Sequence, residues 1–288
     1  MERKTLLQEI SRMGSVLRKA AALHVLPGFG KAQGRHKLSQ GSFREIVSDA
    51  DIAASSYILK SARARFPGSF SEEHLFKDRF EHKLVWQIDP IDGTDEYCGK
   101  MADGYSMNAA LLEKQGKTPY TPIAGIIYLP GKDEMWCGDG KSVAFLENGA
   151  RKNASRKAND SLCGWIRKTD PNAKLADCYR KIGGALGMDV KLRYGGGSGA
   201  SMAELLSGTT NLVIMNYDYT KEWDIAMAEP MIRAMGGFIC DFDGKAFEYN
   251  RKTGNSLPYN YRGYVASVDF KRGEIVSRLP RNLLIRRL

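Results

Sequence analysis

The feature that most constrains this chain is a short apolar segment that ends in two aspartates. Residues 83–88 are apolar and rich in β-forming types, which predicts a strand, and Asp89-Pro90-Ile91-Asp92-Gly93-Thr94 follows directly. Proline and glycine predict that regular structure stops there. Two carboxylates separated by a proline-stiffened turn can face one cation, so the sequence predicts an oxygen-ligand metal site at a strand exit.

Other acidic residues extend this prediction. Glu72 follows the Pro67-Gly68 turn, and Asp224 lies at the start of a predicted helix. Taken singly, each is explained by a solvated turn or by a first helical turn that favours acidic residues. The four histidines and five cysteines show no metal-ligand spacing, which favours a metal held by oxygen ligands, a hard cation such as Mg²⁺. The cysteines are odd in number and widely scattered, which favours reduced thiols in a cytoplasmic protein.

The order of predicted elements indicates a layered α/β (α+β) chain. Two long helices at 3–22 and 45–65 precede antiparallel-looking strands at 105–113, 123–129, 134–137 and 142–146. Strands and helices then alternate, from a strand near 161–166 to a helix over 223–235. We place a boundary between an N-terminal half, residues 1–150, with most metal ligands, and a C-terminal half, residues 151–288.

Charge and hydropathy limit the kinds of partner that the protein is expected to bind. The net charge of +10 suits an acidic substrate or a polyanion, although scattered basic residues are more often solvated surface. No apolar run is long enough to cross a bilayer, so no membrane partner is expected. Aromatic residues are not interleaved with basic ones as in RNA-binding modules, so a nucleic-acid partner is not expected either.

Four blocks, in order, give the chain a resemblance to the inositol monophosphatase superfamily of Mg²⁺-dependent, lithium-sensitive phosphatases. The D-P-I-D-G-T block with a later W-D is the most specific. The resemblance implies an αβαβα sandwich with two β-sheets, a small phosphorylated metabolite as substrate and a homodimer. The matching blocks are Val47-Ser48-Asp49-Ala50-Asp51, Ser71-Glu72-Glu73, Trp86 to Thr94, and Trp223-Asp224 with Gly236-Gly237.

The resemblance also implies residue roles. Two or three Mg²⁺ ions would be held by Glu72, Asp89, the Ile91 carbonyl, Asp92 and Asp224. Asp51 and Thr94 would activate the attacking water, with Glu72 assisting through a third ion. Substrate would be bound by Ile91, Asp92, Gly93, Thr94, Gly197, Ser198 and Asp224, with the backbone N–H groups of the D-G-T turn holding phosphate oxygens.

The substrate stays open among three classes. Several blocks, including Asp95-Glu96-Tyr97, are similar to the 3′(2′),5′-bisphosphate nucleotidase branch, our preferred interpretation. Gly199 and Ser201 depart from that branch, which favours Ser and Lys there. Arg193-Tyr194-Gly195-Gly196 and Pro230 resemble the histidinol-phosphatase branch, and inositol monophosphate is the third class. An alternative of another kind is a non-catalytic RNA-associated or regulatory protein.

Overall fold

The computed structural model describes residues 1–38, 44–114, 116, 119–153, 156, 159–168, 173–216, 220–250, 260–261, 263–280 and 283. Its α-helices are α1 (Arg3–Ala20), α2 (Asp49–Arg63), α3 (Thr94–Cys98), α4 (Ala173–Leu186), α5 (Ser198–Ser207), α6 (Trp223–Ala226), α7 (Glu229–Ala234) and α8 (Arg272–Val276). In the part of the chain so described, no helix combines the length and apolarity needed to cross a membrane.

The first layer consists of α1 and α2. Leu6, Ile10 and Met13 recur at helical spacing on α1 and are buried, which fixes its inner face. A π-helical turn, Ala21–Val25, prolongs α1. The predicted helices at 3–22 and 45–65 are confirmed, apart from a few residues at their ends.

A seven-stranded sheet forms the second layer. A hairpin of β1 (Arg35–Leu38) and β2 (Arg44–Val47) precedes it. Within the sheet, β3 and β4 are parallel and every later neighbour is antiparallel. In spatial order, its strands are β3 (Phe70–Ser71), β4 (Leu84–Asp92), β5 (Ser106–Lys114), β6 (Tyr120–Leu129), β7 (Glu134–Gly138), β8 (Val143–Glu147) and β9 (Ala150–Lys152).

The C-terminal part of the chain builds a second sheet. Its strands lie in the order β11-β10-β12-β16-β14, and β10 is parallel to both of its neighbours. The strands β13 and β15 form a separate pair. The strands after β9 are β10 (Leu162–Arg167), β11 (Val190–Gly195), β12 (Leu212–Met215), β13 (Thr220–Lys221), β14 (Phe238–Cys240), β15 (Asn260–Tyr261) and β16 (Tyr264–Ser267).

Within the described part of the chain, three apolar cores hold five layers together. The first core lies between α1, α2 and the large sheet, and the second joins the other face of that sheet to α5, α6, α7 and the small sheet. The third lies between the small sheet and α4 and α8. This layering confirms the predicted αβαβα sandwich. The second core is shared by both sheets, and the division at residue 150 stays a prediction.

The middle helical layer differs from the sequence prediction. A single helix over 223–235 was expected, but α6 ends at Ala226 and α7 begins at Glu229. Pro230 explains this, because proline lacks an N–H and is tolerated only in the first turn of a helix. The link between the two helices lies against β6, where a Cβ on Gly125 would fall 1.7 Å from the carbonyl oxygen of Met227. Only glycine allows this approach.

Candidate active site

Strand β4 positions the first two carboxylates. Asp89 pairs with Asn108 and Asp92 with Ser106 on β5, with a shift of register between them. Pro90 lies within this bulge, where its missing N–H is tolerated. The prediction that the strand stops before Asp89 is therefore wrong: β4 continues to Asp92, and both aspartates are buried on it.

The third carboxylate comes from the other half of the chain. Asp224 lies in the first turn of α6, where its Oδ2 accepts the N–H of Lys221 at 2.7 Å. One carboxylate oxygen each from Asp89, Asp92 and Asp224 all lie within 4.8 Å of one another. The structure thus brings together three of the predicted ligands.

This cluster is electrostatically costly by itself. Burial and then the charges of Glu72, Asp92 and Asp224 raise the pKa of Asp89 well above its ordinary value. Burial also raises the pKa of Asp92. Burial and the charge of Asp92 raise the pKa of Asp224. Among the described residues, the buried Oδ1 of Asp89 accepts no hydrogen bond. Such oxygens fit Mg²⁺, which prefers carboxylates and would offset their repulsion.

Glu72 lies beside this cluster. Its backbone N–H donates to the Ile88 carbonyl of β4 at 3.0 Å, and its charge raises the pKa of both Asp89 and Asp224. Within the described parts of the chain, however, the set of oxygens within 4.8 Å of one another does not include Glu72. Metal ligation by Glu72 and by the Ile91 carbonyl stays a prediction.

Asp51 and Thr94 are brought together as predicted. The Oδ2 atom of Asp51 accepts the N–H of Ser48 at 2.8 Å and its hydroxyl at 2.6 Å, in a capping box that starts α2. Its Oδ1 atom lies 3.3 Å from Thr94 Oγ1, which is also 3.1 Å from the Ile91 carbonyl oxygen. The cap therefore fixes one carboxylate oxygen and turns the other toward the threonine hydroxyl.

A glycine turn connects β4 to α3. Gly93 has a φ of 81° and precedes α3, and a Cβ there would lie 2.7 Å from the Gly104 carbonyl oxygen. That same oxygen accepts the N–H of Gly197 at 2.8 Å. The D-G-T turn and the glycine-rich loop of the C-terminal half are thus joined through Gly104.

The start of α5 holds Asp92. The N–H groups of Ser198 and Gly199 donate to its two carboxylate oxygens, and Ser106 Oγ donates at 3.2 Å. The N–H groups of the predicted substrate residues Gly197 and Ser198 are therefore engaged by the protein itself. A substrate contact from either residue stays a prediction.

Sequence reasoning missed one buried ion pair. Arg167, at the end of β10, donates from Nε and Nη2 to the two carboxylate oxygens of Glu96, each at 2.8 Å. The Glu96 side chain is fully buried. The Arg167 charge also opposes the rise that burial causes in the pKa of Asp92. The available signal was a lone arginine that ends an apolar strand, which by itself names no partner.

Glu222 predicts a pH-dependent stability. Burial raises its pKa to about 7, although Asn250, Gln87 and Arg79 all favour its charged form. A carboxyl whose pKa is higher in the folded state stabilises that state while protonated, and the contribution is lost as pH rises from about 4.5 to 7. Between pH 5 and pH 7.5, the free energy of unfolding should fall by about 1 to 3 kcal/mol more in the wild type than in Glu222→Gln, as measured by urea unfolding.

The control for this prediction is Glu81→Gln, because Glu81 is exposed. That variant should lose the same free energy of unfolding between the two pH values as the wild-type protein. Equal losses in Glu222→Gln and wild type would contradict the prediction.

The inositol monophosphatase family model matches residues 4–272, so the chain belongs to this family, and it is a phosphatase. The family depends on Mg²⁺ and acts on small phosphorylated substrates. The sequence is similar to Nus factor SuhB of Xylella fastidiosa, with 28% identity over 211 residues that cover 71% of this chain and 72% of that protein. It is also 28% identical to the 3′(2′),5′-bisphosphate nucleotidase CysQ of Salmonella typhimurium, over 70% of this chain and 79% of that protein.

Solved structures show the same fold at lower identity. An IMPase of Thermotoga maritima superposes with a TM-score of 0.67 at 20% identity, over 94% of this chain and 96% of that one. An IMPase/NADP phosphatase complexed with Mg²⁺ and phosphate has a TM-score of 0.65 at 16% identity, over 97% of this chain and 95% of that one. The fold class predicted from the sequence is therefore confirmed.

Proposed function

We propose that this phosphatase hydrolyses 3′(2′),5′-bisphosphate nucleotides and uses Mg²⁺ held by Asp89, Asp92 and Asp224, with Glu72 and the Ile91 carbonyl completing two or three ion sites. The observation that carries the metal site is the convergence of three carboxylates, one of which has an oxygen with no hydrogen-bond partner among the residues that the structure describes. The similarity to CysQ supports the nucleotide substrate. A cytoplasmic location and a homodimer stay predictions.

The protein's own groups supply orientation and proton acceptance. When bound, Mg²⁺ would neutralise phosphate charge and lower the pKa of a water. Thr94 Oγ1 shares its proton between Asp51 Oδ1 and the Ile91 carbonyl, so its lone pairs point elsewhere and can accept a hydrogen from the attacking water. Asp51 is the final proton acceptor. The N–H groups of Gly93 and Thr94 hold the phosphate oxygens in line with that water.

The Asp51 and Thr94 pair predicts graded effects on turnover. Thr94→Ala should lower kcat by about 100-fold, within the range that positioned proton transfer contributes. Thr94→Ser keeps the hydroxyl and should retain most of the activity. Steady-state phosphate release with saturating Mg²⁺ checks this, and equal kcat in the alanine and serine variants would contradict the role of the hydroxyl.

The substrate is tested by phosphate release from adenosine 3′,5′-bisphosphate, inositol 1-phosphate and histidinol phosphate, each with Mg²⁺ and with EDTA. We expect the highest kcat/KM on the nucleotide. Turnover confined to the other two compounds would overturn the nucleotide proposal and leave the phosphatase class intact.

A second candidate is an RNA-associated role, which the similarity to Nus factor SuhB and the net charge of +10 favour. Binding to phosphates through basic residues weakens steeply with salt. The test is binding of a labelled single-stranded RNA at 50 and 200 mM salt, in wild type and in Asp89→Asn. RNA binding without phosphate release from any of the three substrates would favour this role over catalysis.

A further inference from the structure

Glu72 lies in a tight turn that follows β3. Ser71 ends that strand and lies opposite Ile88 of β4, whose carbonyl accepts the N–H of Glu72 at 3.0 Å. The turn closes at His74. The N–H of Ser71 donates to the His74 carbonyl at 3.0 Å, and the N–H of His74 donates to the Ser71 carbonyl at 3.2 Å. Strand β4 therefore anchors the start of the turn.

Helix α2 supplies a second anchor for the same turn. Ser55 Oγ lies 2.6 Å from Ser71 Oγ and 2.7 Å from His74 Nδ1. The N–H of His74 also donates to Ser71 Oγ at 3.1 Å, which closes a ring of three hydrogen bonds. Both serine side chains are fully buried. This ring of Ser55, Ser71 and His74 ties both ends of the Glu72 turn to one helix.

The backbone N–H of His74 sets the direction of the ring, because an N–H donates and never accepts. It donates to Ser71 Oγ, the Ser71 hydroxyl donates to Ser55 Oγ, and the Ser55 hydroxyl donates to His74 Nδ1. With this direction each buried hydroxyl both donates and accepts within the ring. Removing the acceptor at Nδ1 would leave a buried hydroxyl without its hydrogen bond, which is costly.

The same face of α2 carries the proposed proton acceptor. Asp51 and Ser55 are buried and four residues apart, so they lie one above the other on the helix. Asp51 Oδ1 lies 3.3 Å from Thr94 Oγ1, whereas Ser55 binds the turn of Glu72. One helix therefore positions both the proton acceptor and a predicted metal ligand.

The Glu72 carboxylate acts on the cluster from its margin. Its charge raises the pKa of both Asp89 and Asp224. Among the described residues, however, the carboxylate oxygens that lie within 4.8 Å of one another do not include one from Glu72. Its reach to a metal ion thus depends on how the turn is held. Groups that orient a metal ligand commonly change metal affinity by about 10- to 100-fold when they are removed.

We propose that Ser55 and His74 are positioning residues that hold Glu72 in place for Mg²⁺. They act through the turn between Ser71 and His74 and are not themselves ligands. The inference rests on the proposed function, which it deepens by naming the residues that set the affinity of the site for Mg²⁺. When the ring is broken, the turn loses its connection to α2 and keeps only its connection to β4.

The experiment compares His74→Leu with His74→Asn by calorimetric titration of the metal-free protein with Mg²⁺. Leucine removes the acceptor, so the apparent Kd for Mg²⁺ should rise about tenfold or more. Asparagine places an accepting Oδ1 where Nδ1 lay and should restore the wild-type Kd. The matched control is His82→Leu, which alters a contact with Asp78 outside the ring and should leave the Kd unchanged. The Mg²⁺ concentration for half-maximal phosphate release should rise in proportion to the Kd.

Two further variants test whether the ring acts through Glu72. Ser55→Ala breaks the ring from the helix side and should raise the Kd as much as His74→Leu does. In a Glu72→Gln background, which itself raises the Kd, His74→Leu should cause no further rise. Wild-type affinity in His74→Leu and Ser55→Ala, or a further rise in the Glu72→Gln background, would overturn the positioning role alone. Absence of Mg²⁺ binding by the wild type would overturn the proposed metal site and this inference together.

Discussion

Asp89→Asn is expected to abolish Mg²⁺-dependent phosphate release without destabilising the metal-free protein. Burial and four neighbouring carboxylates raise the pKa of Asp89 well above its ordinary value, so a neutral side chain relieves repulsion in the absence of metal. The asparagine amide also adds a donor beside Asp92 and Asp224, whose oxygens lie within 4.8 Å of that of Asp89. Catalysis is lost because the metal loses a charged ligand.

Two measurements separate these effects. Phosphate release should fall below detection in Asp89→Asn, and thermal unfolding in EDTA should occur at or above the wild-type temperature. In wild type, Mg²⁺ at 100 times its Kd should add about 2.7 kcal/mol of stability, and the variant should lose most of this gain. The control is Asp177→Asn, which alters an exposed pair with Arg180. Retained turnover, or a metal-free variant clearly less stable than wild type, would contradict the assignment.

Arg167→Met is expected to destabilise the protein by about 3 to 5 kcal/mol, the usual cost of removing one partner of a buried ion pair. The Glu96 carboxylate is fully buried and receives two hydrogen bonds from this guanidinium. Methionine keeps much of the apolar stem of arginine but removes the guanidinium that faces the buried carboxylate. The loss should be measured as the free energy of urea unfolding in EDTA, where bound metal cannot mask it.

The double variant Glu96→Gln/Arg167→Met tests the cause. Removing both charges eliminates the buried carboxylate that has lost its guanidinium, so the double variant should be more stable than Arg167→Met. Arg180→Met, at an exposed pair, should change the free energy of unfolding little. A double variant no more stable than Arg167→Met would show that the ion pair is not the source of the effect.

The local sequence pattern was sufficient to predict most of the secondary structure and two of the three clustered carboxylates. Apolar runs predicted β5, β6 and β7 to within a few residues, and Asp89 and Asp92 lie so near in sequence that their meeting could be expected. The sequence around Asp224 does not predict that it lies beside Asp89 and Asp92, because its position depends on how α6 packs between the sheets. Only the resemblance between sequence blocks identified it.

Two other features were beyond local pattern for the same reason. The Glu96 and Arg167 pair joins residues 71 apart, and no spacing rule links α3 to β10. The bulge in β4 was also missed, since Pro90 predicts an end of pairing whereas β5 supplies partners on both sides of it. Long-range pairing overrides the local preference there.

The origin of the three carboxylates also limits when the site can form during synthesis. Asp89 and Asp92 belong to a sheet that is complete at Lys152, whereas Asp224 and the N–H groups that hold Asp92 come from elements made later. A nascent chain that has just completed β9 therefore carries Asp89 and Asp92, which are buried in the finished fold. It still lacks Asp224 and the N–H groups of α5 that bind Asp92. Chains emerge from the N-terminus at a limited rate. Until α6 has left the ribosome, the aspartates at the end of β4 remain without the contacts that Asp224 and α5 later provide.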